Sequence, residues 1–544
     1  MPPFVPVQSL YSSCLTAVFQ HLFENVKKTS SRPTVEHFRK VIQSSLHAGI
    51  REHLIHITTT HCRNNIYVLV DLLSILLDQA IKQLDHSGGD DSSWLRAEQC
   101  SALLSTLEQC EATGLHELTV KVRLDPRRTG DIETVSSANL TFHRVLRGGL
   151  AANLRSLVLR SICDNEILRI LGHHCPHLRH LDATSSWLVD DNGLRSLCFK
   201  DPESHIIPPD GYCGDDNGWF SAVQPSDINI CCQSLQEVRI QDTNTSELGV
   251  IMLLLFIPNL KSLGGFIYYR NVGDAIVSLS HYHAGKLKLN LTDLWDTCLS
   301  PEKAGILATA APHLTSLYTR GSWLHSVGSF SHLASLTVDF DFVDFASALE
   351  SYLINHGQKL KKLVLVDQMH SVDVSVLAEN CPRLEELGAK LEGGWYGETG
   401  AMLPYLAVCR IRVGGTEPLH TLLVHAQCLE HLEVVLEEES YGEGVEVIED
   451  TLISQSLAEN SRLEHLRVFL LRSECNLSVL SVQLLISSCP SLRFLGDLHA
   501  WTGICDRDME QLAQEIIDRN LDLMLSYRGS LLPYRRARCL INKT

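Results

Sequence analysis

The residue types best suited to metal binding or catalysis are concentrated between positions 173 and 180. His173, His174 and Cys175 are adjacent, and His177 and His180 follow closely. Imidazole and thiolate groups bind zinc, but a tetrahedral site needs a further C-x-x-C or H-x-x-x-H pair, which the surrounding sequence does not supply. The chain also contains no phosphate-binding G-x-x-x-x-G-K-[ST] loop and no G-x-S-x-G nucleophile turn. We therefore predict no catalytic residue, no metal site and no cofactor.

The segment around His177 belongs to a phrase that recurs along the whole chain. In this phrase Cys-Pro, or a similar pair, is followed by L-x-x-L and an apolar residue. Its copies are 24 or 25 residues apart, as from Leu154 to Leu178 and from Leu235 to Leu260. This pattern and period are typical of leucine-rich repeats, in which each repeat supplies one strand and one helix. We predict an α/β leucine-rich-repeat solenoid, a horseshoe of roughly a dozen repeats. The clearest copies are 175–181, 257–263, 311–317, 381–387 and 489–495.

Composition limits the classes of partner and the cellular compartment. The 544-residue chain is 44% hydrophobic and 20% charged, with a net charge of −18, so electrostatics disfavour nucleic-acid binding. No apolar stretch is long enough to span a membrane, and residues 1–6 lack the pattern of a secretory signal. The 18 cysteines are expected to be buried thiols rather than disulfides, because several occupy one repeat position. A cytoplasmic or nuclear location follows, with neither nucleic-acid nor membrane partners.

The repeats divide the chain into three regions. Residues 1–112 contain no repeat phrase and are expected to form a small all-α region that begins with a helix at 9–27. Residues 113–505 form the repeat domain, which is interrupted by an insertion at 199–231 and an acidic loop at 436–450. Residues 506–544 are expected to form a C-terminal cap and a basic tail. Each interruption is either a tolerated solvated loop or a partner-contacting loop.

The strands of such a solenoid present their non-leucine positions on the concave face. These positions carry mixed charges and scattered aromatic rings, a composition that suits recognition of a protein substrate. Individual members can also serve only to solvate the face. The candidate substrate-binding residues are Arg160, His180, Asp182, Glu237, Arg239, Tyr318, Arg320, Asp339, His431, Glu433, Arg467 and Phe469.

The first helix carries an apolar stripe of its own. Leu10, Cys14 and Val18 repeat every four residues, and Ser9 is placed to cap the helix. These four residues resemble the BC-box, the helix by which substrate receptors bind elongin B and C. The layout resembles that of the PRAME-like leucine-rich-repeat receptors of cullin–RING ubiquitin ligases. The resemblance implies that Leu10 enters a pocket of elongin C with Cys14 beside it, and that a cullin joins the complex. The cullin-box candidate, 47–54, lacks the usual proline.

Two alternative functions remain open from the sequence. The C-P-x-L-x-x-L copies also resemble those of F-box leucine-rich-repeat receptors, although the Pro6 and Phe19 spacing departs from an F-box. In both ligase interpretations this chain is a non-catalytic receptor, and ubiquitin transfer is the work of other subunits. In the third interpretation the chain is a protein-interaction scaffold without any ligase, and its N-terminal helices only cap the solenoid.

Overall fold

The computed structural model comprises two compact units. The N-terminal unit contains Gln8–Trp295 and Ile306–His313, and the C-terminal unit contains Met1–Val7, Asp296–Gly305 and Leu314–Thr544. The structure describes residues 2–4, 10–28, 32–62, 65–86, 94–123, 129–205, 223–264, 272–283, 285–344, 346–395, 403–437, 448–459, 463–528 and 530–532. Most of the 199–231 insertion, most of the acidic loop at 436–450 and the predicted basic tail therefore lie outside the described residues.

Strands and helices alternate through most of the chain, as leucine-rich repeats require. The strands are β1 (Gln83–Asp85), β2 (Glu117–Lys121), β3 (Ser156–Arg160), β4 (His180–Asp182), β5 (Glu237–Arg239), β6 (Asp293–Trp295), β7 (Ser316–Arg320), β8 (Ser335–Asp339), β9 (Lys362–Val366), β10 (Val372–Asp373), β11 (Glu386–Glu392), β12 (Val408–Val413), β13 (His431–Leu436), β14 (Val468–Leu471), β15 (Cys475–Ser478), β16 (Phe494–Gly496), β17 (Trp501–Gly503), β18 (Met524–Tyr527) and β19 (Ser530–Leu532).

The helices that precede or follow these strands have the following bounds. They are α1 (Leu10–Lys28), α2 (Arg32–Ser45), α3 (Ala48–His61), α4 (Ile66–Leu76), α5 (Ala97–Gln109), α6 (Thr129–Arg147), α7 (Asn165–His174), α8 (Asp191–Cys198), α9 (Glu247–Phe256), α10 (Val272–Tyr282), α11 (Pro301–Ala310), α12 (Leu324–Val327), α13 (Ala346–His356), α14 (Val374–Asn380), α15 (Glu417–His425), α16 (Asp450–Glu459), α17 (Val479–Ser488) and α18 (Asp506–Asp518).

Each unit contains a parallel sheet whose strands are aligned by one apolar residue per strand. In the N-terminal unit β1 to β5 pair in sequence order, and Leu118, Leu157 and Leu181 stand opposite one another. In the C-terminal unit the same alignment runs without a break from Leu317 on β7 to Leu525 on β18. These residues are at most 1% exposed. The parallel sheets and the intervening helices fit the predicted leucine-rich-repeat fold.

The sheet of the N-terminal unit begins earlier than predicted. Strand β1 lies within the region expected to be entirely helical, where Leu84 pairs with Leu118 of β2. Its repeat reads Ile81-x-x-Leu84-x-His86, so a histidine occupies a position that is apolar in most other repeats, as at Val120, Leu159 and Ile240. His86 is 2% exposed, and its Nδ1 lies 2.9 Å from the Thr119 carbonyl oxygen. A polar residue at this buried position conceals the repeat from a search for apolar periodicity.

Polar caps determine where the repeat helices begin. Asp164 Oδ1 accepts a hydrogen bond from the Ile167 amide at 2.7 Å, and Ser246 and Ser478 cap α9 and α17 in the same manner. Asp373 caps α14 through the Ser375 amide. Capping satisfies amides that would otherwise lack an acceptor at the helix start. Each of these four helices therefore begins directly after its cap.

The repeat-position cysteines are buried and pack as small apolar residues. Cys175, Cys381 and Cys489 are fully buried, and the Cys175 thiol donates to the Ala151 carbonyl at 2.8 Å. Burial raises the pKa of Cys381 and of Cys489 to about 12. A thiol with so high a pKa is a poor nucleophile and a poor metal ligand at neutral pH. All the cysteines among the described residues are free thiols.

One repeat has a different register from the predicted one. The sequence pattern placed Leu463 and Leu466 at the two leucine positions, which would direct Arg467 and Phe469 to the concave face. In the structure Phe469 pairs with Leu432 and is completely buried, so the repeat phrase is Leu466-x-x-Phe469-x-Leu471. Arg467 precedes β14 and forms an ion pair with Glu430 at 3.2 Å. The predicted face of Phe469 was wrong because a phenylalanine occupies a leucine position.

Substitution of neighbouring residues of β14 tests this register. Phe469→Ala should lower the free energy of unfolding by about 3–5 kcal/mol, because it leaves a cavity in the core. Leu470→Ala, on the opposite and partly exposed face of the same strand, should cost less than about 1.5 kcal/mol. Chemical denaturation of both variants makes the comparison. A larger loss for Leu470→Ala would restore the register that the sequence suggested.

Candidate functional site

Helix α1 has two apolar sides, and only one of them packs against the protein. Leu15, Phe19, Leu22 and Val26 are buried, whereas Leu10 is 81% exposed. Cys14 is exposed and Val18 is half-buried. At 100° per residue the two stripes are centred roughly 110° apart around the helix axis. Leu10, Cys14 and Val18 therefore form an outward stripe, while Ser9, the fourth predicted adaptor residue, lies outside the described residues.

The buried side of α1 rests on helices α3 and α4. At the start of α1, the Tyr11 hydroxyl lies 2.6 Å from His53 Nδ1 on α3. Within the candidate cullin-box segment at 47–54, Leu54 is completely buried. Arg51 is also buried, and it forms an ion pair with Asp78 at 2.9 Å. These two residues stabilise the helical core and are not available as a surface motif.

In the N-terminal unit, five of the predicted substrate-binding residues lie on the sheet face opposite the leucines, here called the solvent face. Across β4 and β5, His180 Nε2 lies 3.3 Å from Glu237 Oε2, and Arg239 Nε lies 2.5 Å from Glu237 Oε1. Arg160 Nε donates to Asp182 Oδ2 at 3.0 Å. Asp182 is only 1% exposed, so Arg160, and not the carboxylate, is the accessible member of that pair.

Two carboxyl groups of the N-terminal unit have strongly shifted pKa values. The hydrogen bond from the His180 side chain, with help from Arg239, lowers the pKa of Glu237 to about 2. Burial raises the pKa of Asp293, on β6, to about 6, and a hydrogen bond from Ser262 only partly opposes this. Glu237 is thus a fixed anion at neutral pH, whereas Asp293 pays a desolvation penalty for its charge.

The raised pKa of Asp293 makes the stability of this unit pH-dependent. Because the folded value exceeds the ordinary value of 3.8, the neutral carboxyl stabilises the fold below pH 3.8, and this contribution is lost as the pH rises through about 6. Asp293→Asn should therefore raise the free energy of unfolding above pH 6, by at most about 3 kcal/mol.

Thermal unfolding measured across this pH range tests the expectation for Asp293. Asp341→Asn, the same change at an exposed position, is the control and should leave the pH profile unaltered. The difference between Asp293→Asn and the wild type should vanish in acid. A constant difference at all pH values would mean that the Asp293 charge is not the cause.

Five further predicted residues lie on the solvent face of the C-terminal unit. The Tyr318 hydroxyl donates to Asp339 Oδ2 at 2.7 Å, and burial together with this bond raises the pKa of the phenol. Arg320, at the end of β7, is exposed. On β13 burial lowers the pKa of His431, whose Nε2 lies 3.9 Å from Glu433 Oε2. These residues are not one cluster, because three strands separate Asp339 from His431 and four separate Tyr318 from it.

The sequence analysis found only one member, Glu433, of the most organised part of this face. A row of alternating charges, the charge row, crosses β9 to β16. Its members are Lys362, Glu386, Arg410, Glu433, Arg472 and Asp497. Arg410 is central: it lies 3.0 Å from Glu386 and 3.7 Å from Glu433, and its side chain is 51% exposed. Ion pairs this exposed contribute only about 0–1 kcal/mol each to stability, so the row mainly provides a charged, arginine-rich surface.

The reason for this omission lies in strand β12. No L-x-x-L phrase begins the strand, since it reads Val408-Cys409-Arg410-Ile411-Arg412-Val413. The alternation of buried Cys409, Ile411 and Val413 with two arginines is nevertheless the pattern of a strand with one buried face. A search for period-2 alternation in addition to the leucine phrase would have found Arg410 and Arg412.

His173, one of the histidines that suggested a metal site, makes other contacts. His173 Nδ1 lies 2.9 Å from the Arg169 carbonyl oxygen, and its Nε2 lies 3.1 Å from that of Lys200. Within the described part of the chain, no three His, Cys, Asp or Glu side chains converge as metal ligands. In the same residues no helix is long and apolar enough to cross a membrane.

Comparisons with known proteins give distant structural similarity only. No protein-family model and no curated protein matches the chain. A chain of the yeast Rad7–Elc1 complex is 18% identical over 48% of this chain and 85% of its own, with a TM-score of 0.24. A chain of the TLR13–ssRNA13 complex is 13% identical over 67% of this chain and 46% of its own, with a TM-score of 0.35. The leucine-rich-repeat protein LegL7 of Legionella pneumophila is 12% identical over 63% of this chain and 98% of its own, with a TM-score of 0.32. Such scores carry no inference about function.

Proposed function

We propose that this chain is a non-catalytic substrate receptor of a cullin–RING ubiquitin ligase. Helix α1 would bind elongin B and C, a cullin would join through the adaptor, and the solvent face of the repeats would hold a protein substrate. Its place of action would be the cytoplasm or nucleus, where free cysteines remain reduced. An F-box type receptor and a scaffold without a ligase are the alternatives.

The proposal rests chiefly on the exposure of Leu10. If α1 were an ordinary core helix, its leucines would be buried together, yet Leu10 is 81% exposed while Leu22 on the same helix is 2% exposed. Leu10 heads an outward stripe with Cys14 and Val18, at the spacing of the elongin-binding helix. Burial of a leucine side chain at an interface is worth about 1.5–3 kcal/mol. An exposed apolar stripe of this kind is therefore a favourable docking site.

The solvent face supports the substrate-binding half of the proposal. It carries partly exposed arginines, at Arg239 on β5, Arg410 on β12 and Arg472 directly after β14. Arginine and tyrosine are the residues that most often anchor protein interfaces. Since the arginines already contact carboxylates within the face, their side chains are held in place before a partner arrives. This reduces the ordering cost of binding.

Leu10→Ser tests the adaptor half of the proposal. The substitution should weaken capture of purified elongin B–C by the full chain by roughly tenfold or more, since it removes the apolar anchor of the stripe. It should leave the melting temperature unchanged, because the side chain makes little contact with the fold. Cys14→Ser, combined with it, should abolish capture. Co-purification and thermal unfolding are the two measurements.

Leu22→Ser on the same helix is the matched control. Leu22 lies on the buried side, so this variant should lose several kcal/mol of stability. In the fraction that remains folded, it should retain elongin capture. Equal capture by the wild type and Leu10→Ser would reject the elongin proposal. Capture by the F-box adaptor instead would favour the first alternative, and capture by neither would favour the scaffold.

A further inference from the structure

A pocket outside the charge row and outside α1 opens beside the loops that follow β8 and β9. Its volume is about 290 Å³, near the lower end of the range for ligand sites. The walls include Phe340, Leu349 and Val376, and Val343 and Met369 stand at the rim. Val343 is 50% exposed and Met369 is 56% exposed. We call this the rim pocket. Its apolar walls suit the aliphatic part of a ligand side chain.

The polar lining of the rim pocket is predominantly anionic, with four carboxylates beside Gln368, Ser371 and one histidine. It contains the carboxylates of Asp344, Glu350, Asp373 and Glu392, and its only basic member is His370. His370 lies 3.5 Å from Asp344. Glu350 and Glu392 form no ion pair with any described residue. The pocket thus combines apolar walls with negative charge that the described chain leaves largely uncompensated.

The backbone brings two of these carboxylates into direct opposition. Strand β10 pairs with β11 so that Asp373 stands opposite Glu392. Like charges at directly paired positions destabilise a sheet. The Asp373 carboxylate also lies against Gly393, whose φ is +67° and where an added Cβ would approach Oδ2 to 2.9 Å. Asp373 Oδ1 accepts two bonds from Ser375, which satisfy one oxygen of the group. A cation in the pocket would relieve the repulsion between Asp373 and Glu392.

The positions of the lining carboxylates indicate which kind of cation the pocket suits. Among the described residues the carboxylates do not converge as a metal site, so a single bare ion could not use them together. A guanidinium group carries five donors in a planar fork and can serve separated carboxylates, while its aliphatic stem packs on apolar walls. We propose that the rim pocket binds an arginine side chain of a basic segment in a protein partner.

This proposal goes beyond the ligase proposal, because it depends on neither α1 nor elongin. Its test uses the full chain and a dye-labelled peptide of alternating alanine and arginine, with lysine and glutamine versions of the same peptide. Fluorescence anisotropy measures the affinity. The arginine peptide should bind best, and Glu350→Gln combined with Glu392→Gln should weaken binding by about tenfold.

The matched control is Glu385→Gln combined with Glu430→Gln. It makes the same change in net charge at exposed positions outside the pocket, where each glutamate pairs with a surface cation. Its affinity for the arginine peptide should stay within about twofold of the wild type. Equal weakening by both double variants would mean that the acidic protein attracts the peptide through its overall charge. That result would overturn the proposal that the pocket binds arginine. So would the absence of binding by the wild type, or equal affinity for the lysine peptide.

A second variant combines peptide binding with a measurement of stability. Asp373→Asn keeps the cap of α14, because asparagine caps as well as aspartate, but removes the charge opposite Glu392. The variant should bind the arginine peptide at least about fivefold more weakly and should have a raised melting temperature. A lowered melting temperature with unchanged peptide affinity would mean that Asp373 serves only the helix start.

Discussion

The interaction on which the rest of the structure depends is the alignment of one buried apolar residue per strand in each parallel sheet. The continuous set from Leu317 to Leu525 contains only leucine, cysteine and phenylalanine at the aligned position of the strands in the C-terminal unit. A shift of one residue would expose the entire apolar set of a strand, so the alignment fixes which side chains reach the solvent face. The charge row exists because the leucines determine the register of Lys362, Glu386 and Arg410.

The same alignment explains why charges on the solvent face are paired. Neighbouring strands are about 4.8 Å apart, so a charged side chain must lie beside its counterpart in the next repeat. Because the charges of neighbouring side chains alternate in sign, these side chains attract one another. Arg410, for example, lies between Glu386 and Glu433. The paired strands β10 and β11 make the opposite arrangement, with Asp373 facing Glu392. The C-terminal unit therefore also holds a place where negative charge accumulates, beside the apolar wall of the rim pocket.

Helix α1 follows a different principle from the repeats. A repeat helix buries its apolar stripe against the neighbouring repeats, and its opposite side is solvated. Helix α1 buries Phe19 and Leu22 but leaves Leu10 outward, so it has one apolar surface more than its own unit uses. This surplus gives the helix its capacity to dock a second protein. In physical terms, Leu10 contributes little to folding and is available for binding.

The sequence by itself determined the alternation of strand and helix, the helix starts at Asp164, Ser246, Asp373 and Ser478, and the stripe on α1. All of these depend on residues within one repeat or one helix, where spacing is visible in the chain. Tertiary structure alone decided that Phe469 takes a leucine position, that β1 joins the sheet through Leu84, and that Arg410 lies between two glutamates. It also decided the outward position of Leu10 and the enclosure of the rim pocket. Burial and charge pairing depend on which residues of different repeats become neighbours, and that proximity is not encoded in any local pattern.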